Sequence, residues 1–213
     1  MTASAYLAAG PNRGRMRPFF PPVDHRPGGA IMAINSMSAL SLDFLQDIYY
    51  AEKHALRAYP KLARAVASET LRDALTQHRE ETQTQIERLE QVFEAMGKRP
   101  RGKTCQAMNG LLEEADEAIS EGEKGPILDA AIIACAQAME HYEIARYGTM
   151  VAWMQAQGHA EAADLLRQTL EEEKQTDERL TGLATANLDQ PAAESDEEEE
   201  DAPPRKTASR GRK

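Results

Sequence analysis

Apolar side chains recur at steps of three and four along four long stretches of this chain, the spacing of amphipathic α-helices. The first stretch runs from about Leu40 to Ala67, with Leu42, Leu45, Tyr49, Leu56, Tyr59, Ala63 and Val66 on one face. The second runs from about Glu69 to Met96 and carries Leu71, Leu75, Leu89, Val92 and Met96. The third runs from Pro126 to near Gly158, with Ile132, Ala136, Tyr147, Met150 and Met154 inside. The fourth runs from about His159 to Ala186, with Ala163, Leu166, Leu170, Leu180 and Ala184. Ser68 reads as an N-cap, Gly97 as a stop and Pro126 as a first helical residue. Pro60 lies inside the first pattern, where it is expected to kink the helix or leave a carbonyl unpaired. Aromatic residues are only 5 % of the chain, and few segments have the composition of a strand.

The connections are uneven. The first two helices join tightly around Ser68 and the last two around Gly158, but residues 97–125 separate the pairs. That long connection holds a short amphipathic stretch with Met108, Leu111, Leu112, Ala115 and Ile119. The expected fold is therefore all-α: a ferritin-like up-down four-helix bundle of two helical hairpins with one long crossover containing a short helix. The bundle is expected over residues 38–189. Residues 1–37, rich in Pro, Gly and Arg, read as a disordered extension, and Met32 and Met37 stand as alternative starts. Residues 190–213 read as a disordered tail, acidic and then basic, that solubilises the chain or docks a partner.

The net charge of −10 argues against a nucleic-acid partner. Two cysteines, Cys105 and Cys135, make neither a disulfide framework nor a paired-cysteine metal site. No apolar run is long enough to span a bilayer, and nothing resembles a secretory leader, so a cytoplasmic location is expected.

Each inner stripe contains acids where hydrophobes belong: Glu52, Glu81, Glu140 with Glu143, and Glu173 with Asp177. A buried unpaired carboxylate costs several kcal/mol, so converging acids need a cation or protons. The heights agree. At ~1.5 Å per residue, Glu52 and Glu81 both lie roughly 20–24 Å from the first turn, and Glu140 and Glu173 roughly 22–27 Å from the second. The halves also repeat weakly, with Glu80 to Gln85 aligning on Glu172 to Asp177, as a two-fold dinuclear site requires. Oxygen ligands favour two metal ions, iron first and manganese second, and hence ferroxidase, peroxidase or catalase-like chemistry.

Several segments together resemble the YciE/YciF family of ferritin-like stress proteins. They are Leu45 to Lys53, Glu80 to Thr82 with Gln85 to Phe93, Glu140 to Thr149, and Leu170 to Lys174 with Thr176 and Asp177. The resemblance covers roughly residues 38–188. It implies a four-helix bundle, a homodimer, a rubrerythrin-like dinuclear metal site and a role in bacterial stress. The chain departs from the wider ferritin-like pattern of Glu-x-x-His, because Thr84 and Thr176 stand three residues after Glu81 and Glu173. Gln85 and Asp177, one position later, are candidate replacements, and His78 is a candidate nitrogen donor on the face of Glu81.

Other residues have plainer readings. Tyr49, Tyr59, Tyr142 and Tyr147 are expected as core aromatics with one polar end, with hydrogen bonding to ligands as the sharper role. Met96, Met139, Met150 and Met154 are expected to fill core space, and Cys135 to be a small buried residue. His54, His141 and His159 are expected at solvent or helix ends. The functional expectation is metal-dependent chemistry on Fe(II), oxygen or peroxide. Metal buffering, or helical interaction without turnover, is the alternative.

Overall fold

The computed structural model describes residues 34–188, with side chains placed through residue 186. Both expected disordered segments fall almost wholly outside the described residues. Five helices follow in order: α1 (Met37–Ala65), α2 (Glu69–Ala95), α3 (Gln106–Glu121), α4 (Pro126–Ala156) and α5 (Ala160–Leu188).

Their ends are set by local chemistry. The Ser36 and Ser68 hydroxyls accept from the Ala39 and Leu71 amides at 3.1 and 3.3 Å, capping α1 and α2. Pro126 begins α4, where its missing N–H costs nothing. Gly97 (φ 64°) and Gly158 (φ 80°) end α2 and α4 in the left-handed region. There the Lys98 and His159 amides reach back to the Phe93 and Met154 carbonyls, the Schellman closure. Pro60 withholds a donor from the Leu56 carbonyl, yet α1 continues past it to Ala65.

The four long helices form a ring in which every neighbour is antiparallel. Tyr49 meets Glu90 and Arg72 meets Ala63 between α1 and α2. Arg88 meets Glu172 and Arg179 meets Gln77 between α2 and α5. Gln137 meets Thr181 between α4 and α5, and Ser41 meets Gln157 between α1 and α4. Thus α2 and α4 lie diagonally and run the same way, so the link between them must travel the bundle's length. It does so across α1, where the Lys103 amide donates to the Gln46 carbonyl. A Cβ on Gly102 would stand 3.3 Å from that of Tyr50, so the crossing is close. The crossover then forms α3, which packs on α1 and α4. This is a ferritin-like bundle, with no strand among the described residues.

Asp129, in the first turn of α4, ties the hairpins together. Its two carboxylate oxygens accept from the Ala67 and Ser68 amides at 2.7 and 2.8 Å, satisfying the tight turn between α1 and α2. The core is mostly aliphatic, with Met139, Met150 and Met154 filling it. Met96 and Cys135 are half-buried. Among the described residues no helix is long and apolar enough to cross a membrane.

Candidate metal centre

The α2 stripe of Leu71, Leu75, His78, Thr82, Gln85 and Leu89 steps by four and three, and every member is buried. His78 therefore points to the bundle axis at the height where α4 presents Glu140 and Glu143 and α5 presents Glu173. All four residues are buried, and one ligand atom from each lies within 4.8 Å of the others. His78 Nε2 is 3.1 Å from Glu140 Oε1 and 3.8 Å from Glu173 Oε2. Glu52 of α1 is also buried, and its Oε1 accepts from the Tyr147 hydroxyl. The Tyr59 hydroxyl donates to Glu140 Oε1 at 3.2 Å. Its ring meets the His78 ring edge-on at 5.0 Å.

Much of this cluster lacks protein partners. Glu140 Oε2, Glu143 Oε1 and both oxygens of Glu173 are buried without a hydrogen-bond donor, and His78 Nε2 has no aligned partner. Such atoms are costly unless something binds them. One imidazole nitrogen and several carboxylate oxygens make a donor set that suits a divalent metal ion. The residues therefore fit a metal.

Burial raises the Glu143 and Glu173 carboxyls well above the usual range, and the nearby charges of Glu52 and Glu140 add to it at both. Burial also pushes Glu52 up to about 7, against the hydrogen bond from Tyr147. Burial alone would depress His78. The carboxylates of Glu140, Glu81 and Glu143 outweigh it and raise the imidazole to about 10. The same burial and negative field raise the Tyr59 and Tyr147 phenols.

The remaining expected residues sit around the cluster. Glu81 lies at its rim, with 35 % of its side chain exposed, and faces His78 Nδ1 at 3.4 Å. Gln77 donates to it at 2.8 Å, and His78 is the main cause that lowers its carboxyl. Thr82, the next residue, takes the buried stripe position and bonds the His78 carbonyl. Asp177 emerges at the α4–α5 seam, where it meets His141 at 3.1 Å and Gln137 at 3.2 Å. Gln85 is buried and donates to Glu172 at 3.2 Å, leaving its own oxygen unpaired. The sequence reading gave no role at the site to Thr176, Arg88, Glu172 or Thr169. Thr176 hydrogen-bonds His78 Nδ1 at 3.1 Å. Arg88 grips Glu172 through two bonds of 2.9 Å and reaches Thr169 at 2.7 Å. Arg88 stands one turn past Gln85 and Glu172 beside Glu173, the only signals the sequence offered.

Of the other aromatics, Tyr49 donates to Glu90 at 2.7 Å, away from the cluster. Tyr142 donates to Asp47 and lies 2.9 Å from Cys105 Sγ. His141 is exposed, and His54 stacks on Tyr50.

A family model described as a domain of unknown function (DUF892) matches residues 37–193. YciF of Escherichia coli (strain K12) is 46 % identical over 162 residues, 76 % of this chain and 98 % of the relative. The chain belongs to the YciF family. The crystal structure of that E. coli stress protein has a TM-score of 0.71 at 47 % identity, covering 73 % of this chain and 98 % of that one. YcfI of Rhodopseudomonas palustris has a TM-score of 0.69 at 48 % identity, covering 70 % and 95 %. A buried His and Glu cluster able to coordinate a metal thus lies in a ferritin-like, YciF-family fold.

Proposed function

We propose that this protein is a ferritin-like metal protein with a carboxylate-rich dinuclear centre, iron first and manganese second, that carries out ferroxidase or peroxidase-type chemistry. The observation that carries the reading is the set of four buried carboxylate oxygens with no donor, on Glu140, Glu143 and Glu173 beside His78. His78, Glu140, Glu143 and Glu173 would hold one ion, and Glu52 with these shared glutamates is the natural source of ligands for a second. Glu81, Gln85 and Asp177 complete the expected set, Glu81 and Asp177 at the rim and Gln85 buried, positions that suit them to orienting ligands. Bound there, such a metal pair supplies reversible electron transfer to oxygen or peroxide. The chain supplies the rest. Tyr147 and Tyr59 orient Glu52 and Glu140 through their hydroxyls. Thr176 and Glu81 fix the His78 ring at its Nδ1 side, leaving Nε2 for the centre. The surrounding aliphatic layer keeps water out. Family resemblance extends the proposal to a cytoplasmic homodimer that acts in stress; the E. coli relative is called a stress protein. Metal buffering without turnover is the second reading, favoured by how deeply the ligands are buried.

The test is metal content per chain in protein purified without chelator, beside a Glu140→Ala, Glu173→Ala double variant. About two ions in the wild type and none in the variant support the dinuclear reading. Oxygen and peroxide consumption by loaded protein then separates turnover from buffering. No metal after anaerobic Fe(II) loading would sink both readings.

A further inference from the structure

We infer that the seam between α2 and α5 is the entry route of a divalent cation, with Glu81 as its first ligand and Arg179 as the bar across its mouth. This rests on the metal reading above.

Two clefts lie along this seam. The outer one opens to solvent and is lined by Gln77, Glu172 and Gln175 together with Glu81, Thr176 and Arg179. The inner one shares those last three residues and ends on His78 and Glu140. The two share one wall, Glu81, Thr176 and Arg179, so a shift of those side chains would join the surface to the cluster. The inner cleft's end carries unpartnered atoms, His78 Nε2 and Glu140 Oε2, on residues that are 4 % and 0 % exposed.

The shared wall has a defined construction. Arg179 of α5 reaches across the seam to donate to Gln77 Oε1 of α2 at 2.7 Å. Gln77 in turn donates to Glu81 Oε1 at 2.8 Å, and the other Glu81 oxygen faces His78. A guanidinium at the mouth repels cations and fills the gap, so it must swing aside. Arg179 and Gln77 are both exposed and their bond is on the surface, where such bonds open readily. Glu81 offers a carboxylate reachable from water and, one step inward, the His78 ring leads to the cluster. A half-exposed carboxylate lowers the barrier to stripping water from the ion by replacing it with a ligand. This accounts for an acid standing beside the cluster on the rim of the stripe.

The experiment is stopped-flow uptake of Co(II) alone by metal-free full-length protein, followed by its ligand-field absorption. It compares wild type with Glu81→Gln, Arg179→Ala and, as a control, Asp116→Asn, an exposed carboxylate on α3 that pairs with Lys61 away from the seam. Expected are filling slowed roughly ten-fold or more by Glu81→Gln, filling sped several-fold by Arg179→Ala, and little change for Asp116→Asn. Final stoichiometry stays at the wild-type value in Glu81→Gln and Arg179→Ala. Wild-type rates in both seam variants overturn the route. A lowered Co(II) stoichiometry in Glu81→Gln at unchanged rate overturns the entry role and makes Glu81 a resident ligand. A wild type that binds no Co(II) removes the metal reading and the route together, an outcome distinct from altered rates on an intact site.

Discussion

Glu143 shows how far function and stability pull apart at a single residue. Its carboxyl is fully buried among other acids, with one oxygen lacking any donor. Without metal, that arrangement is worse than an apolar side chain of the same size. Glu143→Met is therefore expected to stabilise the metal-free protein by about 1–3 kcal/mol while lowering metal content, read by urea unfolding and metal analysis. An unchanged or lower midpoint would mean that Glu143 is better satisfied than its neighbours suggest. Asp129 is the opposite case: a buried acid fully used by the protein itself. Asp129→Ala leaves the Ala67 and Ser68 amides without acceptors and is expected to cost about 2–3 kcal/mol in urea unfolding. Sequence reasoning marked Glu143, because it interrupts an apolar stripe, and passed over Asp129, which sits at a helix start where acids are ordinary.

Among the helices, Gly158 and Gly182 of the second hairpin give a paired test. Gly158 ends α4 at φ 80°, a conformation an alanine adopts only with strain. Gly182 lies within α5, exposed, with open space where a Cβ would stand. Gly158→Ala should cost about 1–2 kcal/mol and Gly182→Ala should gain about 0.5–1 kcal/mol, so thermal midpoints move in opposite directions. Midpoints that moved together would place one helix end wrongly. The helix ends fall within about three residues of the sequence reading because Ser68, Gly97, Pro126 and Gly158 act locally. On α2 the expected stripe of Leu71, Leu75, His78, Thr82, Gln85, Leu89, Val92 and Met96 is buried as far as Val92, and Met96 is half-buried. Glu81 was read beside Thr82 on that stripe and stands at its rim. Neighbouring helical positions differ by ~100°, and a stripe wide enough to be seen in sequence spans about that much.

For the whole molecule, the acids at the axis make stability depend on what they bind. If the centre is filled, removing its ions by chelation should lower the thermal midpoint by an amount equivalent to several kcal/mol, and the Glu143→Met variant should respond much less. An identical midpoint with and without chelator in wild type would leave the bundle as a scaffold indifferent to metal. The sequence by itself determined the helices, their order, the long crossover and the presence of acids on inner faces. Each of these depends on spacing and capping within one segment. Only the tertiary structure decided which of those acids converge. Helix rotation and the antiparallel register set Glu140, Glu143 and Glu173 on His78. The same packing turned Asp177 to Gln137, locked Glu172 to Arg88 and left Glu81 at the rim. A rotation of a few tens of degrees moves a carboxylate from the axis to the seam. The packing of neighbouring helices sets that rotation, and no single segment encodes it.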